Sequence, residues 1–223
     1  MSQIRTARPW VALALPALAP MLLAIVTVQS VSLSPADVPS GRTSTGTVTL
    51  NAAPVVTTRV FLSSSKPGLA AVPASISVGI LQRGTFAITT TAGQAGCATI
   101  SAKEAKTAAK SALLFVQPRN LSSSPVRLSL SPTSVGGGLT ATGTVLVTPS
   151  SAAGQVVNLT SSNPSVTVPA SVTLGASEIG AGIATFNIGT SAVTGLGTCS
   201  IITATFGTSQ GRALLKVIPF VQG

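Results

Sequence analysis

From residue 31 onward, apolar side chains recur at every second position in short runs, with Thr and Ser between them. A period of two belongs to strands with one buried face, whereas an amphipathic helix repeats every 3.6 residues. Val31 and Leu33, Val48 and Leu50, Val60 and Leu62, Ile76 and Val78, Phe86 and Ile88, Ile100 and Ala102, and finally Ala112, Leu114 and Val116 form such runs. Turn-forming points such as Lys66-Pro67-Gly68 and Gly136-Gly137-Gly138 separate runs of this kind, at roughly the 8–12 residue spacing of a β-sandwich. The pattern predicts an all-β chain built from two-sheet sandwiches.

The second half repeats the first at an offset of 97 to 102 residues. Leu33-Ser34-Pro35 returns as Leu130-Ser131-Pro132, and Thr45-Gly46-Thr47-Val48 as Thr142-Gly143-Thr144-Val145. Leu62 to Pro67 (LSSSKP) returns as Leu159 to Pro164 (LTSSNP), and Val72-Pro73-Ala74-Ser75 as Val168-Pro169-Ala170-Ser171. Phe86 and Ile88 match Phe186 and Ile188, Cys97 matches Cys199, and Ala112-Leu113-Leu114 with Pro118 matches Ala213-Leu214-Leu215 with Pro219. Insertions fall between the apolar blocks, where loops tolerate them. Two tandem domains follow, 31–118 and 126–223, joined by a linker at 119–125. The prolines bounding that junction restrict the backbone, so the expectation is an end-to-end rod of roughly 70–80 Å. Ser101 to Lys110 (SAKEAKTAAK) reads locally as helix, but its counterpart Thr203 to Arg212 (TATFGTSQGR) carries Gly207 and Gly211 and reads as a hairpin. Both are therefore expected to be hairpins.

Residues 1–30 differ in kind. Arg5 and Arg8 precede an uncharged apolar stretch from Trp10 to Val28, the pattern of a secretory signal, with cleavage expected after Ser30. The competing readings are a retained membrane anchor, which Pro16 and Pro20 weaken as a helix, and an artefact of a wrongly chosen start or of a fragment. A cleaved signal or a retained anchor puts the rest of the chain outside the cytoplasm, secreted or on the cell surface, with a membrane engaged only through residues 10–28 if they are kept.

Composition narrows the chemistry. The 223 residues include no His and no Tyr, and the only acidic groups are Asp37, Glu104 and Glu178, so acid/base pairs and metal shells lack their usual material. No catalytic, cofactor-binding or metal-binding residue is assigned, and no cofactor is expected. With Arg5 and Arg8 removed, eleven basic residues still face three acidic ones. They are scattered, apart from Lys103, Lys106 and Lys110 on one hairpin and Arg119 with Arg127 near the linker, and aromatic platforms are few. Specific nucleic-acid binding is thus not expected, and the charge reads as solubility plus weak attraction to anionic envelopes or glycans. Cys97 and Cys199 hold equivalent positions, one per repeat. End-to-end domains would keep such sites apart, so the expectation is two small unpaired thiols, with intermolecular pairing as the alternative.

The ordered set L-S-P, G-T-V, L-x-S-S-x-P, V-P-A-S-[IV], F-x-I, I-[ST]-A and A-L-L-x-V-x-P, present twice over about 190 residues, resembles bacterial immunoglobulin-like repeats of the invasin and intimin type. That resemblance implies an immunoglobulin-like β-sandwich serving as a spacer or adhesive module at the cell surface, with no catalytic residues to transfer. The antibody hallmarks are missing: Trp10 is the single Trp, and each repeat has one Cys. The expected role is a non-catalytic structural module that contributes to adhesion, its partners a cell-envelope component, a glycan or another surface protein. The alternative is a true ligand-binding module that uses the loops at one sandwich end, Ser63 to Ala70 and its counterpart.

Overall fold

The computed structural model describes residues 25–105, 107–120, 124–148, 152–177 and 181–220. Most of the apolar N-terminal segment, Lys106 and part of the linker lie outside the described residues. The first module stacks two sheets. One has the order β1 (Val28–Ser34), β3 (Thr43–Leu50), β7 (Arg83–Thr90), β5 (Ala70–Ala71). The other runs β2 (Asp37–Pro39), β9 (Lys110–Gln117), β8 (Gly96–Lys103), β4 (Thr58–Ser64), β6 (Ser75–Val78), and only the β2–β9 pair is parallel.

The second module repeats this. β10 (Val126–Ser131), β12 (Thr140–Val147), β17 (Gly182–Thr190) and β14 (Val166–Thr167) form one sheet, with β16 (Gly175–Ala176) also on β17. β11 (Ser134–Gly136), β19 (Ser209–Ile218), β18 (Thr198–Phe206), β13 (Val156–Ser161) and β15 (Ser171–Thr173) form the other. In each module strands A-B-E face A′-G-F-C, the immunoglobulin arrangement, with a short strand beside E (β5, β14) that precedes the one beside C (β6, β15) in the chain.

All seven alternating runs are strands, and Ser101–Lys110 with its counterpart are hairpin segments, as repeat equivalence predicts. The pattern does not show β2 and β5, which at three and two residues are too short to display a period. β2 exists because the chain leaves the first sheet at Leu33-Ser34-Pro35 and joins the second, and Leu130-Ser131-Pro132 does the same before β11. Both Ser-Pro bonds are cis.

The repeated motifs pack as units. Gly46 lies opposite Phe86 in the β3–β7 register, and Gly143 opposite Phe186 in β12–β17. A Cβ on either glycine would overlap the facing Phe ring, so the ring fills the space of an absent side chain. Around them Leu50, Ile88, Ile100 and Leu114 are fully buried in one core, and Ile188, Ile202 and Leu215 in the other. Each contributes about 1.5–3 kcal/mol by leaving water.

The modules are not stacked end to end. The outer faces of their A′-G-F-C sheets meet, and Cys97 on β8 is disulfide-bonded to Cys199 on β18 with the Cα atoms 6.0 Å apart. Both the rod and the unpaired thiols are therefore corrected. Equivalent sites stay apart in a translated stack, but they meet at the axis of a two-fold packing, the rule for self-complementary interfaces. The junction follows that rule: Cys97 faces Cys199, Phe115 faces Lys216, and Leu113 and Leu214 both pack into the cluster around the disulfide. Cys97 pairs with Phe115 in its sheet as Cys199 does with Lys216, so these are matching positions. Lys216 also forms an ion pair with Asp37.

Two described linker residues are tied to the second module. The Asn120 side chain receives the Arg212 amide at 3.0 Å and donates to the Arg212 carbonyl at 2.7 Å, acting as a strand partner along β19. Ser124 Oγ donates to the Gln210 carbonyl at 3.2 Å.

Candidate functional site

The two loops that the repeat marks as counterparts come together at this junction. In the first module the Ser65 amide donates to the Thr99 carbonyl and Ser65 Oγ accepts from the Thr99 amide, both at 2.9 Å. Ser162 makes the same reciprocal pair with Ile201, at 3.0 and 2.8 Å. Each loop is thus fixed to the second strand of its sheet pair by a serine acting as a backbone mimic. The next residue is Lys66 in one module and Asn163 in the other.

Between these loops lies a groove of about 430 Å³ with the disulfide against it. Lys66 and Arg212 supply positive charge, and Thr160, Ser161, Thr198 and Thr203 supply hydroxyls. No carboxylate lines it. Asn163 is committed within its own module: its amide nitrogen donates to Thr198 Oγ1 and the Cys199 carbonyl, each at 3.0 Å, and its oxygen accepts from the Ser165 amide at 3.0 Å. Arg212 differs, because its Nε is buried and has no hydrogen-bond partner. A buried unpartnered donor is costly, and this one belongs to a side chain that lines the groove.

Ser63 to Ala70 and its counterpart are therefore brought to one place, while the groove itself and Arg212 escape sequence reasoning. The packing of the modules around the Cys97–Cys199 disulfide juxtaposes the two loops, and the repeated cysteine is the signal the sequence offers for it. Among the described residues no group of three His, Cys, Asp or Glu converges as a metal shell would. No helix among them is long and apolar enough to cross a membrane. Asn120, part of an Asn-x-Ser sequence, has its amide engaged with Arg212.

No family profile matches the chain, and no curated protein does. Among solved structures it is similar to the D0-D1 domain of intimin, with 16% identity over 86% of this chain and 99% of that one, at a TM-score of 0.38. It is also similar to FdeC, an Escherichia coli adhesin, with 19% identity over 87% of this chain and a TM-score of 0.38, spanning 64% of that structure. A third is domains 5-6 of the S-layer protein SbsC, with 15% identity over 87% of this chain and 99% of that one, at a TM-score of 0.32.

Proposed function

We propose that this chain is an exported, non-catalytic structural module of the bacterial cell surface that holds two sandwiches as one unit and contributes to adhesion or envelope association. The observation that supports it most directly is the Cys97–Cys199 disulfide, because such bonds persist in oxidising compartments and are rare in the cytosol. It agrees with the basic-then-apolar N-terminal pattern, and with a composition poor in acid/base groups. Display of a fixed shape is the mechanism, and turnover is not needed. Fractionation of the native host combined with thiol alkylation tests this: the protein is expected in the envelope or extracellular fraction with both thiols blocked. A cytoplasmic, fully alkylatable protein would refute it.

The unpartnered Arg212 Nε favours a second reading, a binding module whose groove takes an anionic, oxygen-rich ligand such as an acidic glycan. Glycan arrays probe it. A saturable ligand that survives high salt and is lost in Arg212→Gln supports the groove, and no such ligand leaves the structural role alone.

A further inference from the structure

The free pole of the first module, away from the disulfide, is unlike the rest of the surface. Three loops meet there: 51–57 between β3 and β4, 79–82 between β6 and β7, and 104–109 between β8 and β9. Strand registers place them together, since Thr58 lies opposite Val78, Thr49 opposite Arg83 and Phe61 opposite Lys103. Leu50 donates its amide to the Gln82 carbonyl at 2.8 Å, joining the first two loops directly. The N-terminal entry is fixed at the same pole by Asn51, which accepts from the Thr27 amide at 2.8 Å and donates to the Ile25 carbonyl at 3.1 Å.

Five large apolar side chains are exposed on this pole. Ile25, Val55, Val56, Ile80 and Leu81 are each between 73% and 89% exposed, more than any other large apolar residue described. Around them stand four exposed basic side chains, Arg59, Arg83, Lys103 and Lys110. Arg59 has neutral company, Ser75 Oγ at 3.0 Å and the Phe61 ring centroid at 5.3 Å, and neither offsets its charge. Glu104 is the one acidic residue on the three loops, and it already has a partner.

The second module provides an internal control. Positions equivalent to the four basic residues are Val156, Ile183, Thr205 and Gly211, and the loop equivalent to 104–109 is the short turn Gly207-Thr208. The fold therefore does not demand this pole. Apolar tips inside a basic collar are the combination that binds an anionic bilayer surface, where side chains enter the acyl boundary and cations meet lipid phosphates. The chain preceding Ile25, apolar and uncharged from Trp10, enters the fold here, so any bilayer that holds it faces this pole.

We propose that this pole is a membrane seat, in which Val55, Val56, Ile80 and Leu81 dip into an anionic lipid surface while Arg59, Arg83, Lys103 and Lys110 pair with its headgroups. Seating by these loops does not require the segment before Ile25 to remain attached. The test uses residues 25–223, which contain every residue of both cores and no Trp, so Leu81→Trp gives a single reporter. With vesicles of phosphatidylglycerol and phosphatidylcholine in a one-to-two ratio, its emission should shift to the blue, and a Leu139→Trp reporter on the second module should not. Partition should fall about tenfold or more in Val55→Ser/Val56→Ser, in Lys103→Gln/Lys110→Gln, on neutral phosphatidylcholine vesicles, and at about 1 M salt, where screening is short-ranged. An unshifted Leu81→Trp spectrum, equal binding to neutral vesicles, or variants that bind as well as the parent would overturn the proposal. All substituted side chains are exposed, and circular dichroism checks that each variant keeps its strands.

Discussion

Phe115 and Lys216 occupy the same slot in their respective sheets, and they meet across the junction with the Lys216 ammonium 4.8 Å from the Phe115 ring centroid. One module supplies the ring and the other the cation, so matching positions that would repel if both were lysine attract instead. The same ammonium reaches Asp37, giving Lys216 two partners in the other module.

The two partners can be separated. Asp37→Asn removes a partly exposed ion pair and keeps a side-chain oxygen to accept the Gln117 amide hydrogen bond, made at 2.9 Å, so it is expected to cost at most about 1 kcal/mol and less at high salt. Lys216→Ala also uncovers the Phe115 ring, adding about 0.5–1 kcal/mol for the lost cation–π contact and exposing the apolar cluster beside it. Urea unfolding of the two variants at low and high salt measures both effects. An Asp37→Asn cost that exceeds that of Lys216→Ala would show that the ring contact carries little.

The disulfide makes a larger difference. It closes 102 residues of chain, and removing such a bond by Cys97→Ser/Cys199→Ser or by reduction should cost about 2–4 kcal/mol. The apolar cluster around it is small, the two buried residues Ile201 and Leu214 and three partly buried ones, so the modules should then separate more readily on the linker. Small-angle scattering is expected to show a larger radius of gyration under reductant, and calorimetry to show two transitions in place of one. An unchanged scattering profile would mean that the remaining contacts suffice to hold the junction.

Much of this fold is legible in the sequence, because period-two burial and a duplicated motif order point to the same answer. Gly46 and Phe86 show why the motifs repeat, since G-T-V and F-x-I are two halves of one packing unit. What escapes is what depends on how the modules face each other. The Cys97 side chain points away from Ile100 and Ala102, which strand parity predicts, but parity cannot choose between solvent, another molecule and the sister module. A stiff, proline-bounded linker argues for a rod; Asn120 instead bonds along β19 and Ser124 to Gln210, so both of these linker residues lie against the second module. The groove, and the role of Arg212 in it, inherits that error.

The paired glycines allow a test of the packing unit. Gly46→Ala drives a Cβ into the Phe86 ring, and Gly143→Ala does the same to Phe186, so each should destabilise its module by about 1–3 kcal/mol through overpacking. Gly46→Ala/Phe86→Leu should recover part of that loss relative to the sum of the single changes, because the smaller side chain leaves room for the methyl group. Denaturant titration of the parent, Gly46→Ala, Phe86→Leu and the double variant measures the coupling. Strict additivity would mean that the ring does not occupy the glycine's space.

The first strand sets a further expectation. Val28 is 2% exposed and lies opposite Leu50, so β1 already runs inside the module before Ser30. A chain cut after Ser30 would lose that side chain from the core and with it the bonds that Asn51 makes to Thr27 and Ile25. Burying a valine is worth about 1.5–3 kcal/mol, so a protein that starts at Val31 should be less stable than one that starts at Ile25 by roughly that amount. Urea denaturation of the two forms measures the difference. Intact-mass measurement of the exported protein then shows which start the cell uses, and a start upstream of Val28 is expected. A native start at Val31 with undiminished stability would mean that Val28 adds nothing to the core it enters.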